Sequence, residues 1–511
     1  MVFHSILFEK PEDGPRRDDI PEPDFFGDLN LDQIVSAITT GWSDYNLKPF
    51  FYTELSREEV ITYRHAVMQD LDTVAVLDSI NAFTLGMRKM RERLAQADKL
   101  HYRLQKEWWF LEAVVVYCET VAAFCRDLPL AAPTSKGLRA FHQYLSGYVA
   151  SEHFQSLRHD ADEIKRRLSA VRYCVLIKGN SVTVRHYDAE TDYSADVLRI
   201  FEKFKQGAVK DHLVELRDWL DMNHVEAHVL DFVAQLYPQE FMELATFCAN
   251  NASYLDTTIG TFDREVQFYF AYRGYISTCK AADLCFCYPR VSSGNKAVRC
   301  DGTFDLALAH KLTSDNAGVV QNDFHLDGEE RLIVVSGPNN GGKTTFARTF
   351  GQLHYLARIG CPVPGRNATL FLYDRLFTHF EREENTKDQR GKLQDDLMRV
   401  HHILRHATSR SVIIMNEIFS STTLTDALFL SRKIMGEILE REALCVCVTF
   451  IEELAHLGEQ VVSMVSEIKP GAPASRTYRV RRKPADGRAY AVSVAAHYGL
   501  TYDHLKERLG L

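Results

Sequence analysis

Long apolar runs are missing from this chain. The richest stretch, Phe110 to Cys125, carries Glu112 and Glu119 and is too short to span a bilayer, so it reads as a buried helix and no membrane is expected. A leader pattern is also missing. Met1-Val-Phe-His-Ser5 is followed by Glu9 and Lys10 rather than by a basic segment and an apolar one, so no secretion signal is expected, and a cytoplasmic location is expected. Positive charge is not in excess. The 60 basic and 69 acidic side chains leave a net charge of -9, which excludes nucleic-acid binding by bulk charge but not by a local basic channel. Low-complexity tracts and internal repeats are absent. The 11 cysteines, an odd number, fit a reducing compartment. Cys285/Cys287 and Cys445/Cys447 form C-x-C pairs with no second ligand pair at zinc spacing, so they read as buried apolar thiols.

What remains is ordinary globular material. With 46% apolar and 25% charged residues over 511 positions, the chain can build more than one core, and its length suggests roughly three domains. Residues 1 to 26 are polar and proline-rich (Pro11, Pro15, Pro21, Pro23) and read as a tail or wrapped arm, not a core element. From Leu29 to Cys125 the pattern is helical. Ser56 and Glu59 suggest a capping box, and Val60, Tyr63, Val67, Leu71, Val74 and Leu77 recur at helical steps. Such a segment could form a lever tens of ångströms long or a compact bundle, and the pattern favours neither.

Pro129 and Pro133 interrupt, and a second helical stretch runs from Thr134 to Val171. Cys174-Val-Leu-Ile177, Gly179-Asn180 and Val182-Thr-Val184 predict a β-hairpin. Helices return from Ser194 to Lys280, and residues 281 to 322 read as strand and loop. Beyond Arg331 the runs Leu332–Val335, Val412–Met415 and Leu444–Thr449 are apolar without alternation and separated by helical segments. That implies a parallel sheet covered on both faces.

The first of these strands leads into Gly337-Pro338-Asn339-Asn340-Gly341-Gly342-Lys343-Thr344-Thr345, a G-x4-G-K-T loop between strand and helix. Glycines let backbone N–H groups close around phosphate oxygens, and the helix N-terminus adds partial positive charge. Lys343 is placed to reach the β- and γ-phosphates, and the Thr344 hydroxyl to ligate Mg²⁺. The second strand ends Met415-Asn416-Glu417. Glu417 is positioned to orient or deprotonate an attacking water. Asn416 stands where an Asp is usual; it keeps a carbonyl acceptor but lacks the charge, so Mg²⁺ should be held less tightly.

These residues resemble the MutS DNA mismatch-repair ATPases, whose phosphate loop reads GPNMGGKST. Val319-Val-Gln-Asn-Asp323 resembles the FIPND segment bordering the adenine site, and Tyr373-Asp-Arg-Leu-Phe-Thr378 resembles DRIFTR. Gly391 to Thr408 is similar to STFMVEM…ILHNAT, with Asp396 at a family Glu, and Asn416 to Asp426 is similar to DEIGRGTSTYD. The resemblance is strong over the last 190 or so residues. It is weaker over Asp28 to Leu71, which is similar to the start of the MutS core and lever.

The resemblance implies a multidomain protein: an α-helical lever/core with a small β clamp-like segment, then an α/β P-loop NTPase domain of the ABC type. The borders would be residues 1–26 (arm), 27–290 (core and lever) and 291–511 (ATPase with a C-terminal helical dimerisation segment, Tyr490 to Leu509). No room is left before residue 28 for mismatch-reading and connector domains, and no F-x-E motif stands near the N-terminus. The resemblance further implies ATP and Mg²⁺ as ligands, a homodimer, and a loop from Phe419 to Thr423 whose Thr423 touches the partner's γ-phosphate. Phe450 stands where the family has His, which with Asn416 implies slow turnover.

DNA follows mainly from the resemblance. Local cations are Lys165-Arg166-Arg167 and the group Arg476, Arg479, Arg481, Arg482 and Lys483, each of which also fits a solvated charged face. Three functions are therefore open: a sensor of mismatched, branched or damaged DNA; an ATPase on structured RNA or stalled ribosomes; and a nucleotide-bound recruitment scaffold.

Overall fold

The computed structural model describes residues 3–15, 20–179, 181–188, 222–381, 391–469 and 472–485, with single positions at 199, 500, 502, 506 and 508. The chain forms two compact units. Among the described residues, one holds Phe3 and those within 70–134 and 138–263; the other holds those within 4–69, 135–137 and from 264 onward. The contacts thus part the chain differently from the expected borders after 26 and 290, because the N-terminal segment packs with the C-terminal one.

The first unit is helical. Its helix Val74–Lys99 has 26 residues and Arg103–Leu130 has 28, each about 40 Å long at 1.5 Å per residue. The two pack along one another. The expected run of helix through Leu77 is interrupted: Glu58–Asp70 ends and a new helix opens at Val74. Helix Arg103–Leu130 is long and apolar enough by composition to cross a membrane, yet half of its apolar window is buried inside the fold. Phe83, Phe124, Phe141 and Phe262 form an aromatic core, with Phe141 and Phe262 stacked at 3.7 Å between centroids. Strands β1 (Tyr173–Lys178) and β2 (Ser181–His186) form the predicted hairpin, with Lys178 opposite Ser181.

The second unit is built on β-sheets. Strands β3 (Phe286–Cys287) and β8 (Val363–Pro364) pair; β4 (Arg290–Ser292), β9 (Asn367–Phe371), β5 (Val298–Thr303) and β6 (Asn322–Leu326) form a four-stranded sheet. The six-stranded sheet has the order β10-β11-β12-β7-β13-β14. Its strands are β7 (Leu332–Ser336), β10 (Leu376–His379), β11 (Val412–Asn416), β12 (Leu444–Val448), β13 (Val461–Lys469) and β14 (Ala472–Arg482). All neighbours are parallel except the β13/β14 pair. Strands β7, β11 and β12 are buried at every position, which is why their sequences do not alternate. The stretch read as strand and loop also holds a helix, Leu306–Ser314, capped by the Asp305 carboxylate on Leu308 N–H.

Two expectations need correcting. The N-terminal arm does enter a core: Ile6, Leu7 and Phe8 are buried, and Glu265 accepts hydrogen bonds from Ser5 Oγ (2.6 Å) and Ile6 N–H (2.9 Å). Arg64, itself fully buried, donates to the carbonyls of Leu7 (3.0 Å) and Ile359 (2.7 Å). The two C-x-C pairs also differ. Cys445 and Cys447 are buried in the central strand β12, whereas Cys285 is exposed and Cys287 half-buried at the small β3/β8 pair.

Candidate functional site

Strand β7 leaves the sheet at Ser336, residues 337–342 form a loop, and helix Lys343–Arg358 begins at once. Glycine is required here. Gly337 (φ 121°) and Gly342 (φ 89°) adopt backbone that L side chains avoid, and a Cβ on Gly341 would lie 2.3 Å from Ser466 Oγ. Ser466, on β13, donates from Oγ to the Gly341 carbonyl at 2.6 Å and so supports the loop from outside. Ser336 Oγ, at the mouth of β7, is buried with no hydrogen-bond partner among the described residues.

Lys343 opens the helix and folds back over the loop. Its Nζ donates to the carbonyls of Gly337 (2.9 Å) and Pro338 (3.1 Å) and stands 4.3 Å from the centre of the Phe450 ring. Burial lowers the pKa of this ammonium, Glu417 opposes the shift, and Arg476 adds to it. The next residue, Thr344, donates from Oγ1 to Asn416 Oδ1 at 2.9 Å.

Asn416 ends β11 and Glu417 follows it, with its N–H bound to the Val448 carbonyl at 2.8 Å. The turn is strained: Glu417 (φ 52°) and Phe419 (φ 61°) both lie in the left-handed region. Burial raises the pKa of the Glu417 carboxyl, Lys343 pulls it down, and Glu381 pushes it further up. A carboxylate with heightened proton affinity beside a buried ammonium is chemically suited to hold a water and accept its proton.

The structure therefore brings Lys343, Thr344, Asn416 and Glu417 together. Thr423 has a different setting in its own chain. It caps helix Leu424–Glu440, accepting from Asp426 N–H at 3.3 Å and donating to the Asp426 carboxylate at 2.8 Å. Asp396 lies 3.2 Å from His379 Nε2 in a buried pair.

Beside the loop is a cavity of about 340 Å³ that touches Gly342 and Thr345. Phe304, Leu308, Val319, Val320, Phe346 and Tyr478 give it apolar walls. Of this lining the sequence points to the segment Val319 to Asp323 and to Gly342, Thr345 and Phe346 at the phosphate loop. Tyr478, Phe304 and Leu308 of the wall, and Ser466 under the loop, come from distant segments, and only the paired strands and the Leu306–Ser314 helix reveal them.

The cation clusters are largely matched by acids. Lys165 pairs with Glu112 (2.6 Å), Arg166 with Glu163 (2.7 Å) and Arg167 with Glu243 (2.8 Å). Arg482 pairs with Glu330, and Arg481 lies 4.0 Å from Glu467. The expected C-terminal dimerisation segment, Tyr490 to Leu509, lies almost wholly outside the described residues.

The segment that carries this site is similar to known proteins. Residues 333–506 match the family described as MutS domain V. The chain is 30% identical to the DNA mismatch repair protein MutS of Thermotoga maritima over 185 residues, which are 35% of this chain and 23% of that protein. It is 34% identical to the protein of the same name from Oleidesulfovibrio alaskensis over 126 residues, 25% of this chain and 14% of that one. For Thermotoga neapolitana the figures are 30% over 190 residues, 35% and 24%. The chain thus spans less than a quarter of the length of these curated relatives.

Proposed function

We propose that this chain, related to MutS through its domain V, is an ATP-driven DNA-binding switch that works as a homodimer and hydrolyses ATP slowly. The observation that carries this reading is the loop at residues 337–342, with the buried Lys343 ammonium folded onto its carbonyls and Thr344 bonded to Asn416. The residues fit a nucleoside triphosphate. A Cβ at Gly341 would collide with Ser466, so the loop keeps its close seat on β13 only with glycine there, and the apolar cavity beside Gly342, about 340 Å³, is large enough for a purine.

In this reading the N–H groups of the loop and helix N-terminus hold phosphate oxygens, and Lys343 leaves the Gly337 and Pro338 carbonyls to bind them too. Magnesium, when bound, supplies charge neutralisation at the phosphates; Thr344 and Asn416 are the residues that would hold it. Glu417 orients the attacking water and takes its proton. Asn416 and Phe450 keep turnover slow, so occupancy rather than flux sets the state of the protein.

Leu424, Phe429 and Phe450 are exposed large apolar residues, which suits a second copy closing over the site and brings Thr423 towards the partner's nucleotide. The DNA ligand rests on the relatives' printed function. It gains support from the β1/β2 hairpin region, where Arg172 to Tyr187 carries Arg172, Lys178 and Arg185 and no acid.

The test is steady-state ATP hydrolysis by the purified chain, alone and with duplex, branched or mismatched DNA. Stimulation by DNA that vanishes in Glu417→Ala is the expected result. Ribosome co-sedimentation without DNA affinity, or nucleotide binding with no turnover, would overturn it in favour of the RNA or scaffold functions.

A further inference from the structure

Helix Lys392–His406 carries two histidines in its last turn, His402 and His406. Their spacing of one turn places both side chains on one face. Both are exposed, and their ring centres stand 4.3 Å apart. His406 Nδ1 lies 2.8 Å from the His402 carbonyl oxygen, which can only accept, so Nδ1 carries a proton and donates it. The lone pair of the neutral ring is thereby left on Nε2. A ring held through one nitrogen by a backbone carbonyl, with its other nitrogen bare, is set up to ligate a metal. His406 Nε2 and both ring nitrogens of His402 have no hydrogen-bond partner among the described residues. Rings at this separation can share one ion lying about 2.0–2.1 Å from a nitrogen of each.

The surroundings decide which cation fits. No third His, Cys, Asp or Glu joins the pair among the described residues, so water would complete the coordination shell. The pair lies at the C-terminal end of its helix, where the aligned peptide dipoles favour positive charge. Against that, Arg405 stands beside His406, and Arg375 Nη1 donates to the His406 carbonyl at 3.2 Å. With guanidinium groups near and no carboxylate among the ligands, Mg²⁺ and Ca²⁺ find none of the charged oxygens they need. Nickel, copper and zinc ions coordinate neutral imidazole directly.

A second pair shows what the first has in addition. His224 and His228 have the same spacing, and His228 Nδ1 faces the His224 carbonyl at 2.6 Å. Their rings make no contact with each other among the described residues. His224 also opens its helix, at the end whose dipole opposes a cation.

We propose that His402 and His406 form a binding site for one transition-metal dication of the nickel, copper or zinc class, outside the phosphate loop and clamping the last turn of helix Lys392–His406.

The experiment is calorimetric titration of the full chain with Ni²⁺, using wild type, His402→Gln, His406→Gln and, as a control for spacing alone, His228→Gln. Melting temperatures are taken with and without saturating Ni²⁺. Both side chains of the pair are exposed, so either exchange leaves the fold in place, and the two variants must agree. The expected result is that each loses one equivalent of Ni²⁺ or binds it roughly tenfold or more weakly. His228→Gln should keep that equivalent within about twofold. Ni²⁺ should raise the wild-type melting temperature more than that of either variant, because an ion held only by the folded turn stabilises it. The proposal is overturned if either variant matches wild type in equivalents and, within about twofold, in affinity. It is equally overturned if His228→Gln loses as much as they do, since spacing alone would then account for the uptake. With Mg²⁺ in place of Ni²⁺, wild type and both variants should behave alike; a difference would overturn the assignment to imidazole-binding metals.

Discussion

The Thr344 hydroxyl donates to the Asn416 carboxamide oxygen at 2.9 Å, joining the start of the loop helix to the end of β11. Both groups are neutral, so this pair offers a cation only dipoles. Asn416→Asp is expected to strengthen ATP binding several-fold at millimolar Mg²⁺ and to weaken it when Mg²⁺ is chelated, since the new charge then faces phosphate unscreened. Nucleotide titrations across a magnesium series check this; a parallel shift at every concentration would count against Asn416 as a metal neighbour.

Lys343→Ala should abolish tight ATP binding while leaving the fold intact. The carbonyls of Gly337 and Pro338 lose their ammonium donor, at a cost of about 1–3 kcal/mol. The variant also removes the cation that holds the Glu417 pKa down, so that carboxyl should titrate higher still. Calorimetry for ATP, with far-ultraviolet circular dichroism for the fold, separates lost binding from lost structure.

Phe450→His exchanges a ring lying 4.3 Å from the Lys343 ammonium for one that can donate a hydrogen bond. The lost cation–π contact is worth about 0.5–1 kcal/mol at a half-exposed position. Steady-state phosphate release at pH 7 is expected to rise several-fold. An unchanged rate would show that turnover is limited elsewhere.

Glu265 predicts a pH dependence of stability. Burial raises its pKa from 4.5 to about 7, against the opposing pull of Ser5 Oγ, Ile6 N–H, Arg64 and Arg264. Between those two values the folded chain holds a proton that the unfolded chain releases. Stability from this group is therefore complete below pH 4.5 and declines as pH rises through about 7, by up to about 3 kcal/mol. Urea midpoints from pH 5 to 8 should fall for wild type and flatten for Glu265→Gln.

The legible parts of this protein are those whose signal is local. Val412–Ile–Ile–Met415 reads as a buried strand because every side chain meets a covered face, and β11 is buried throughout. The hairpin of β1 and β2 is announced by the Gly179-Asn180 pair in the sequence between them. The illegible parts depend on partners far along the chain. Ser5 to Phe8 is too short to show a period, and its burial depends on Glu265 and Arg64. Ser466 looks like any strand serine until β13 passes beneath Gly341. Helix Leu306–Ser314 left a usable sign in its Asp305 cap, but nine residues carry too few turns to outweigh the strands around them. In the site, the loop and Glu417 announced themselves as a motif. Arg476 did not, because its bond to the Asn339 carbonyl is invisible in a row of arginines along β14.

The buried amino-terminal segment sets an order of events at the ribosome. The carboxylate that receives the Ile6 N–H is 259 positions downstream of it. At translation speeds of about 5–20 residues per second, that acceptor follows roughly 13–50 s later. For that interval Ile6, Leu7 and Phe8 lack this part of their seat and travel as a greasy stretch on the nascent chain. The sheet-bearing unit therefore cannot close until residues beyond 264 emerge; until then this apolar stretch is sheltered by a chaperone or free to stick to a neighbour.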